Sequence, residues 1–584
     1  MPQKVAELQT LLAPDTLASG IIDIWTRWNT QKDVKRADWS ELRNYLFATD
    51  TSSTSNKTTG WRNKTTIPKL TQIRDNLFSN YIATLFPNDN WMRWEGYSAA
   101  ADTEEKRQVI QGYMSNKVRT GGFIEVAQRA VYDYIDYGNA FVDVEYVNEF
   151  HKDPLTGEDI QGYRGPRLRR ISPLDIVFDP TVPFADSPKL ERSKHSFGDF
   201  LARIEEMPED SGWLTDAVTI LKDKRMRAGS YDQGDFEKVD AYQVDGFGNL
   251  QEYYKSDTVE LIEFEGTLYD PSTQEVLKNY IITVADRSTV VRKEALPAWH
   301  GRSTKSHVGW RTRPDNTWAM GPLDNLVGMQ YRIDHLENLK ADAWDMTAFP
   351  MVKIVGEVED FNFGPGEEVQ VIDGDVGFMS PDPMFLQADT QISVLEQKME
   401  EFAGAPREAL GIRSPGEKTA FEVSTLSNAS SRVFQEKTTA IEFMFEDALG
   451  NMLESARRNL DTKDMIRVVD EDLGVDEFIN VTKEDITAEG KLRPVGARHF
   501  AAQQRLLQDI NNLLSGPLGG KVDPHMSGKS LSALVNDVLQ LEKYDVVSDN
   551  VAIFEELETQ RLVNQGQEDL AVEQSIGTEG PPVA

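Results

Sequence analysis

The chain has no cysteine. That excludes disulfides, thiolate nucleophiles and cysteine-based zinc sites together. Histidine is scarce: there are seven in 584 residues, and the closest pair, His300 and His307 in AWHGRSTKSHVGW, has no carboxylate between them. No HExxH pattern occurs, so no metal or other cofactor is expected. Long apolar runs are missing too. No stretch approaches the roughly 18–20 apolar residues of a membrane-spanning helix. The start, MPQKVAELQTLLAPDT, lacks the apolar core of a secretory leader. The expectation is a soluble protein with no membrane partner.

Positive charge is also in short supply. Lysine and arginine number 62 against 96 acids, a formal net charge of −34. Proteins that bind nucleic acid by neutralising phosphates usually carry the opposite balance. An acidic surface confers solubility, and it also lets a protein stand beside DNA without adhering to it.

Catalytic patterns are absent in the same way. Residues 411 to 423, GIRSPGEKTAFEV, come nearest to one. A phosphate-binding loop reads Gly, four residues, Gly, Lys, then Ser or Thr. Here Gly411 and Gly416 have the right spacing, but Glu417 intervenes before Lys418 and Thr419. A working loop follows an apolar strand, whereas EEFAGAPREAL before Gly411 is helical and charged. No GxSxG elbow occurs, and the GFG of DGFGNLQ has no GxGxxG continuation. Acid pairs such as Glu357 and Glu359 arise by chance among so many carboxylates. The chain is expected not to be an enzyme.

What is present is organised. Residues 1 to 50 carry helix-like spacing through Leu8, Leu11, Leu12, Ile21, Ile22, Ile24 and Trp25. Leu70, Ile73, Leu77, Phe78, Tyr81, Ile82 and Leu85 predict a helix ended by Pro87, with Trp91 and Trp94 as core rings after it. Phe123, Val126, Ala127, Ala130, Val131, Tyr134 and Ile135 predict another, stopped at Gly138. AFVDVEYV then alternates as a strand, RRISPLDIVFDP reads strand, turn, strand, and 238–299 reads as an antiparallel sheet.

From 321 the pattern turns helical. GPLDNLVGMQYRIDHLENLKADAWDMTAF (321–349) predicts a long helix, with Pro322 in its first turn and an apolar stripe through Leu323, Leu326, Met329, Ile333, Leu336, Leu339, Ala343 and Met346. A strand-like, turn-rich segment follows. From Glu357 to Asp375 it holds seven acids and no base. A second helix, carrying Ile392, Leu395, Met399 and Phe402, breaks at Gly404, Pro406 and Gly411. The longest helical pattern starts at Thr419, where Glu422 three residues on completes a capping box. Helices are expected at 492–517 and 530–544, and the polar end of the chain is expected to be disordered.

This order resembles that of the portal proteins of tailed bacteriophages, the head-to-tail connectors. YGNAFVDVEY (137–146), ISPLDIVFDP (171–180), GPLDNLVGMQYRIDHLENLKADAW running into FPMVKI, and above all REALGIRSPGEKTAFEVSTLSNASSRVF (407–434) carry the likeness. It spans roughly residues 60 to 545.

The resemblance implies an α+β portal fold. Residues 1–320 become a mixed α/β wing, 321–349 and 386–410 paired stem helices, and 350–385 a small α/β clip. The loop 411–418 becomes a tunnel loop, 419–495 a long channel-side helix with the wing's return, 496–557 a helical crown, and 558–584 a disordered acidic tail. It implies a ring, usually a dodecamer, at one capsid vertex of the virion, assembled in the host cytoplasm. Double-stranded DNA is packaged and later ejected through such a ring without sequence specificity. Its partners are the terminase large subunit, head–tail adaptor and tail proteins, and the major capsid and scaffolding proteins. Arg413, Ser414, Glu417 and Lys418 would face the channel, while Glu357, Glu359, Asp360, Glu367 and Glu368 would serve docking at the clip. Two other expectations compete: a different ring-forming tail or adaptor protein, and a nucleotide-dependent DNA enzyme suggested by the interrupted loop.

Overall fold

The computed structural model describes residues 16–58, 62–86, 91–98, 103–152, 159–205, 212–228, 257–270, 273–348, 351–359, 370–379, 387–403, 420–460, 464–469 and 476–494, with isolated positions besides. In chain order the elements are α1 (Thr16–Leu46), α2 (Lys69–Leu85), β1 (Met92–Gly96), α3 (Glu104–Thr120), α4 (Phe123–Asp136), β2 (Asn139–Lys152), β3 (Asp159–Ile171), β4 (Ile176–Phe178) and β5 (Lys189–Ser196). Then come α5 (Phe197–Glu205), α6 (Thr215–Ala228), β6 (Thr258–Asp270), β7 (Glu275–Ala285), β8 (Thr289–Ala295), β9 (Ser306–Gly309), β10 (Arg311–Arg313) and β11 (Asn316–Met320). The series ends with α7 (Val327–Ala348), β12 (Met351–Glu359), β13 (Gln370–Met379), α8 (Ala388–Phe402), α9 (Ala420–Asn459), β14 (Asp464–Val469), β15 (Asp476–Val481) and β16 (Gly490–Pro494). By contact the chain divides into two units, 1–82 with 119–459, and 83–118 with 460–584. Helices and antiparallel sheets make this an α+β protein.

In the first unit, strands β4-β5-β6-β7-β8 form an antiparallel five-stranded sheet. Its β6–β8 part is the sheet expected from 238–299; residues 238–256 lie outside the described ones. Strand side chains alternate between faces, and β6 uses both. Ile262 and Phe264 pack beneath Leu17, Ala18, Ile21 and Trp25 of α1. Val259 and Leu261 face Phe200 of α5 and Leu221 of α6. The sheet is thus covered on both sides by helices.

A second antiparallel sheet, ordered β3-β2-β9, carries the YGNAFVDVEY strand. Helix α4 ends at Gly138, whose φ of 68° is left-handed as its stop position predicts. A Cβ there would collide with the backbone at Met320 and Gly321, so the site needs glycine twice over. Helix α9 lays Ile441, Met444, Phe445, Ala448, Leu449, Met452, Leu453 and Ala456 into the interior, and Phe445 meets Phe123 of α4 at 5.6 Å.

Buried charge fastens this unit at two places. Lys32 on α1 is 1% exposed and donates to the carbonyls of Pro173, Leu174 and Ile176, so the ISPLDIVF turn closes around an ammonium. Between the two sheets, Lys305 is surrounded by four carboxylates: Glu265, Glu263 at 3.0 Å, Glu191 at 3.4 Å and Asp143 at 3.8 Å. Arg169 on β3 bridges Asp143 and Glu191. These residues come from β2, β3, β5, β6 and the segment before β9, so one cluster fastens both sheets.

Beside it lies an aromatic cluster of Trp39, Phe141, Phe178, Phe184 and Trp318, in which the partly buried His307 ring stacks on Phe141 at 4.5 Å. Asn139 Nδ2 donates to the carbonyls of Tyr137 and Ala319, so its Oδ1 is the acceptor facing His307 Nε2 at 3.1 Å. His307 is therefore the Nε2–H tautomer. Desolvation pulls its pKa down to about 3. Because the folded pKa lies below the unfolded one, this histidine's stabilising contribution is complete above about pH 6.5 and falls as the pH drops towards 3. His307→Phe leaves Asn139 Oδ1 still accepting from Ala319 N–H. The wild type should therefore lose stability relative to His307→Phe by up to about 1.4 kcal/mol per pH unit below pH 6.5. Paired urea titrations from pH 7.5 to 5 check this, and parallel curves would refute it. The pairing of the two proteins matters because burial raises Asp133 to about 6 and also raises Asp136, which stabilises on acidification in both.

The second unit has its own core. β1 pairs antiparallel with β16, and β14 with β15. Trp91, Trp94, Ile110, Tyr113, Met114 and Leu492 are buried there, and Trp94 Nε1 donates to Ala101 O at 3.0 Å. The tryptophan pair is packing, as its area suggests. Lys117 and Asp464 form an ion pair of 2.6 Å.

Candidate functional site: a helix, hairpin and helix arm

Within 321–403 the described residues form a helix, two antiparallel paired strands and a second helix. The helix starts later than Pro322 suggests. Asp324 Oδ2 accepts from Gly321 N–H at 2.9 Å and closes a 3-10 turn over Asp324–Leu326 before α7 begins at Val327.

The buried face of α7 corrects the expected apolar stripe. Leu323, Leu326, Ile333 and Leu336 are buried as expected, but Met346 is 44% exposed. Gln330, Asp334 and Asn338 are instead only 0–2% exposed. They recur every fourth residue, with Asp342 next, and form a polar ladder. The rungs are filled by the extended strap 62–67 and the start of α2. Arg62 and Asn63 N–H donate to Asp342 at 3.1 and 3.0 Å. Thr65 N–H donates to Asn338 Oδ1 at 2.8 Å, and Asn338 Nδ2 returns a bond to Thr65 O at 2.7 Å. Ile67 N–H and Thr66 Oγ1 both donate to Asp334 at 3.0 Å, and Leu70 N–H donates to Gln330 at 3.2 Å.

The fit is geometric. Four residues of helix rise about 6 Å, and two residues of extended chain advance about 6.6 Å. Alternate strap residues 63, 65 and 67 therefore meet every fourth helix residue 342, 338 and 334. Burial holds the Asp334 carboxyl above the usual carboxylate range even though it accepts these bonds.

Helix α8 is tied to the same region. Glu400, itself buried, pairs with Lys69 at 2.6 Å, and Lys69 also donates to Gln72. Lys340 of α7 reaches Asp389 of α8 at 2.8 Å. Ile392 and Met399 are buried, while Phe402 is 55% exposed. The polar ladder, the lysine–glutamate pair and the α7–α8 contact hold the base of the arm.

The hairpin pairs Met351 with Met379 through to Glu359 with Gln370, with a register shift at Glu357 and Val358. Among the described residues no third strand joins it. A lone two-stranded ribbon is marginal in water. Ile354 and Val355, adjacent and so on opposite faces, are both about half exposed. Tyr331 and Trp344 of α7 and Val394 of α8 also show apolar surface to solvent.

Of the residues singled out in the sequence, Glu357 and Glu359 lie on β12, in register with Asp373 and Gln370. Asp360, Glu367 and Glu368 lie outside the described residues, as do Arg413, Ser414, Glu417, Lys418 and the expected cap at Thr419. The stretches 496–557 and 558–584 also lie outside them, apart from Gln560. Helix α9 runs 40 residues, about 60 Å. Nothing in the local sequence marks the ladder, because Gln330, Asp334, Asn338 and Asp342 are hydrophilic and their partners are far away in the chain. Among the described residues no helix is long and apolar enough to cross a membrane, and no group of three acidic or histidine side chains is arranged for a metal. A scan against protein-family models finds no match, and a search of curated proteins finds no relative.

Proposed function

We propose that this chain is a portal-type channel subunit, which assembles as a ring at one capsid vertex and passes double-stranded DNA during packaging and ejection. The observation that carries the reading is the arm: α7, an isolated two-stranded hairpin, then α8, followed by the long α9. A hairpin of this kind is under-supported in a single chain. Its half-exposed Ile354 and Val355, with Trp344 and Val394 on the helices, supply apolar surface for neighbouring copies around a ring. The strap and the Lys69–Glu400 pair give such an arm a rigid root. Purified protein is expected to sediment as a ring-sized assembly of about twelve chains rather than as a 65.9 kDa monomer.

The net charge of −34 suits a conduit. Acidic walls repel phosphates, so DNA slides instead of sticking. In this reading Arg413 and Lys418 form basic rings on a tunnel loop and touch passing phosphates weakly, through salt-screened contacts. The clip carries Glu357, Glu359, Asp360, Glu367 and Glu368 towards the terminase large subunit and later towards the adaptor and tail. Major capsid and scaffolding proteins surround the ring. The chain itself does no catalysis, and nucleotide hydrolysis belongs to the terminase.

Combined Arg413→Glu and Lys418→Glu is expected to lower DNA packaging or retention while the sedimenting ring is unchanged. Packaging assays on particles carrying the double variant check this. Wild-type packaging and retention would remove the proposed role of the loop.

A further inference from the structure

The strap is fastened to α7 by polar groups. Arg62, Lys64 and Thr65 are exposed, and Asn63, Thr66 and Ile67 are half-buried. None of the six is buried, so closing the strap removes little apolar surface from water. Its attachments are hydrogen bonds. Asp342 accepts from the N–H groups of Arg62 and Asn63, and the Asn63 side chain donates to Asp342 and Asp345 at 2.8 Å each. Asn338 exchanges two bonds with Thr65, while Asp334 and Gln330 bind Thr66 and Ile67. Both partners are hydrophilic, so water satisfies strap and helix alike once they part. An apolar element lacks that alternative, because its separation exposes core.

The chain on either side of the strap is firmer. Before it, Thr51, Thr54 and Asn56 are buried, and one bond, Thr51 N–H to Lys64 O at 3.1 Å, reaches the strap from there. After it, Leu70 is buried and Lys69 pairs with buried Glu400. The helix that the strap holds is uneven. Gln330, Ile333, Asp334, Leu336 and Asn338 are buried, but from Leu339 to Ala348 no side chain is. Among the described residues, the hydrogen bonds and ion pairs that leave this outer stretch go to two places. Asp342 and Asp345 reach the strap, and Lys340 reaches exposed Asp389 of α8. Strand β12 follows at Met351.

We infer that the strap is a latch: residues 62–67 leave α7 as a unit while the core stays folded, and their release frees the outer part of α7 together with the paired strands it carries. Closed, the strap pins Asp342 and Asp345 and so sets the direction in which α7 leaves the core. Open, α7 keeps its apolar anchorage only as far as Leu336. The device lies in the packing of one chain and does not depend on the portal reading.

Hydrogen exchange of the full-length protein tests it, read by mass spectrometry on peptides covering 62–67, 339–348, α4 and β2. In wild type at low urea, 62–67 and 339–348 should exchange together and with little dependence on urea, because their opening exposes little surface. Helix α4 and strand β2 should instead show the steep dependence of global unfolding. Asp342→Ala should speed exchange at both 62–67 and 339–348 by about tenfold or more, the weight of hydrogen bonds to a charged acceptor, and leave α4 and β2 unchanged. Alanine is a better helix former than aspartate, so its direct effect on α7 is the opposite, and faster exchange there reports the lost strap. Asn63→Ala changes nothing in α7 and should act in the same direction to a smaller extent. Lys64→Ala, at an exposed side chain outside the ladder, should leave both segments as in wild type. Strap exchange that tracks global unfolding, a rise in Asp342→Ala confined to 62–67, a rise spread equally over α4 and β2, or no change in either ladder variant would each overturn the proposal.

Discussion

Replacing Lys305 with methionine is expected to destabilise the protein by about 3–5 kcal/mol, the usual cost of stripping one partner from a buried charge cluster. The cause is what remains. Glu263, Glu265, Glu191 and Asp143 are drawn together around one ammonium, and without it Arg169, Arg292 and the nearby Lys189 offset them less completely. Those carboxylates belong to both sheets, so their repulsion acts across the junction. Adding Glu265→Gln to Lys305→Met should recover part of the loss, because it removes the carboxylate that burial already disfavours in its charged form. Urea or thermal unfolding of the two variants reads the effect. A Lys305→Met protein within about 1 kcal/mol of wild type would mean the cluster is not the junction described.

Asp334→Ala is the second large effect. It strands the Ile67 N–H and the Thr66 hydroxyl against a buried helix face. Each orphaned buried donor costs about 1–3 kcal/mol, so a loss of about 2–5 kcal/mol is expected, with the strap freed first. Asp334→Asn keeps one acceptor oxygen and should cost less than alanine. Hydrogen exchange at residues 62–67 distinguishes local release from global unfolding: fast exchange there, with α4 and β2 still protected, is the predicted pattern. Unchanged exchange in the strap would contradict the ladder. The pH dependence has a definite sign. The folded Asp334 pKa is raised, so the folded state holds the proton more tightly than the unfolded chain. Acidification from the raised value towards the unfolded one therefore stabilises the wild type, and this increment is missing in Asp334→Asn.

Much of the fold was legible in local periodicity. Helix α4 with its stop at Gly138, the alternating β2 strand, the β6–β8 sheet and the core role of Trp91 and Trp94 all follow from spacing of two or of three to four residues. The helix–insert–helix order of 321–403 was legible too. What failed to show is long-range and polar. The ladder on α7 has a helical period, but its residues are hydrophilic, and its partner strap lies some 270 residues earlier. Hydrophobic patterning therefore assigns that face to solvent and makes Met346 part of an apolar stripe, although it is 44% exposed. The Lys305 cluster gathers charges from five separated segments, each unremarkable in a chain with 96 acids. The β1–β16 pairing joins residues 92–96 to 490–494, a distance no local signal spans.

The central claim is assembly into a channel. Electron microscopy of the purified full-length protein in negative stain tests it most directly. The account predicts closed rings with an axial hole, wide at one end and narrowing to a stalk at the other. A field of discrete monomers at the same concentration would contradict it.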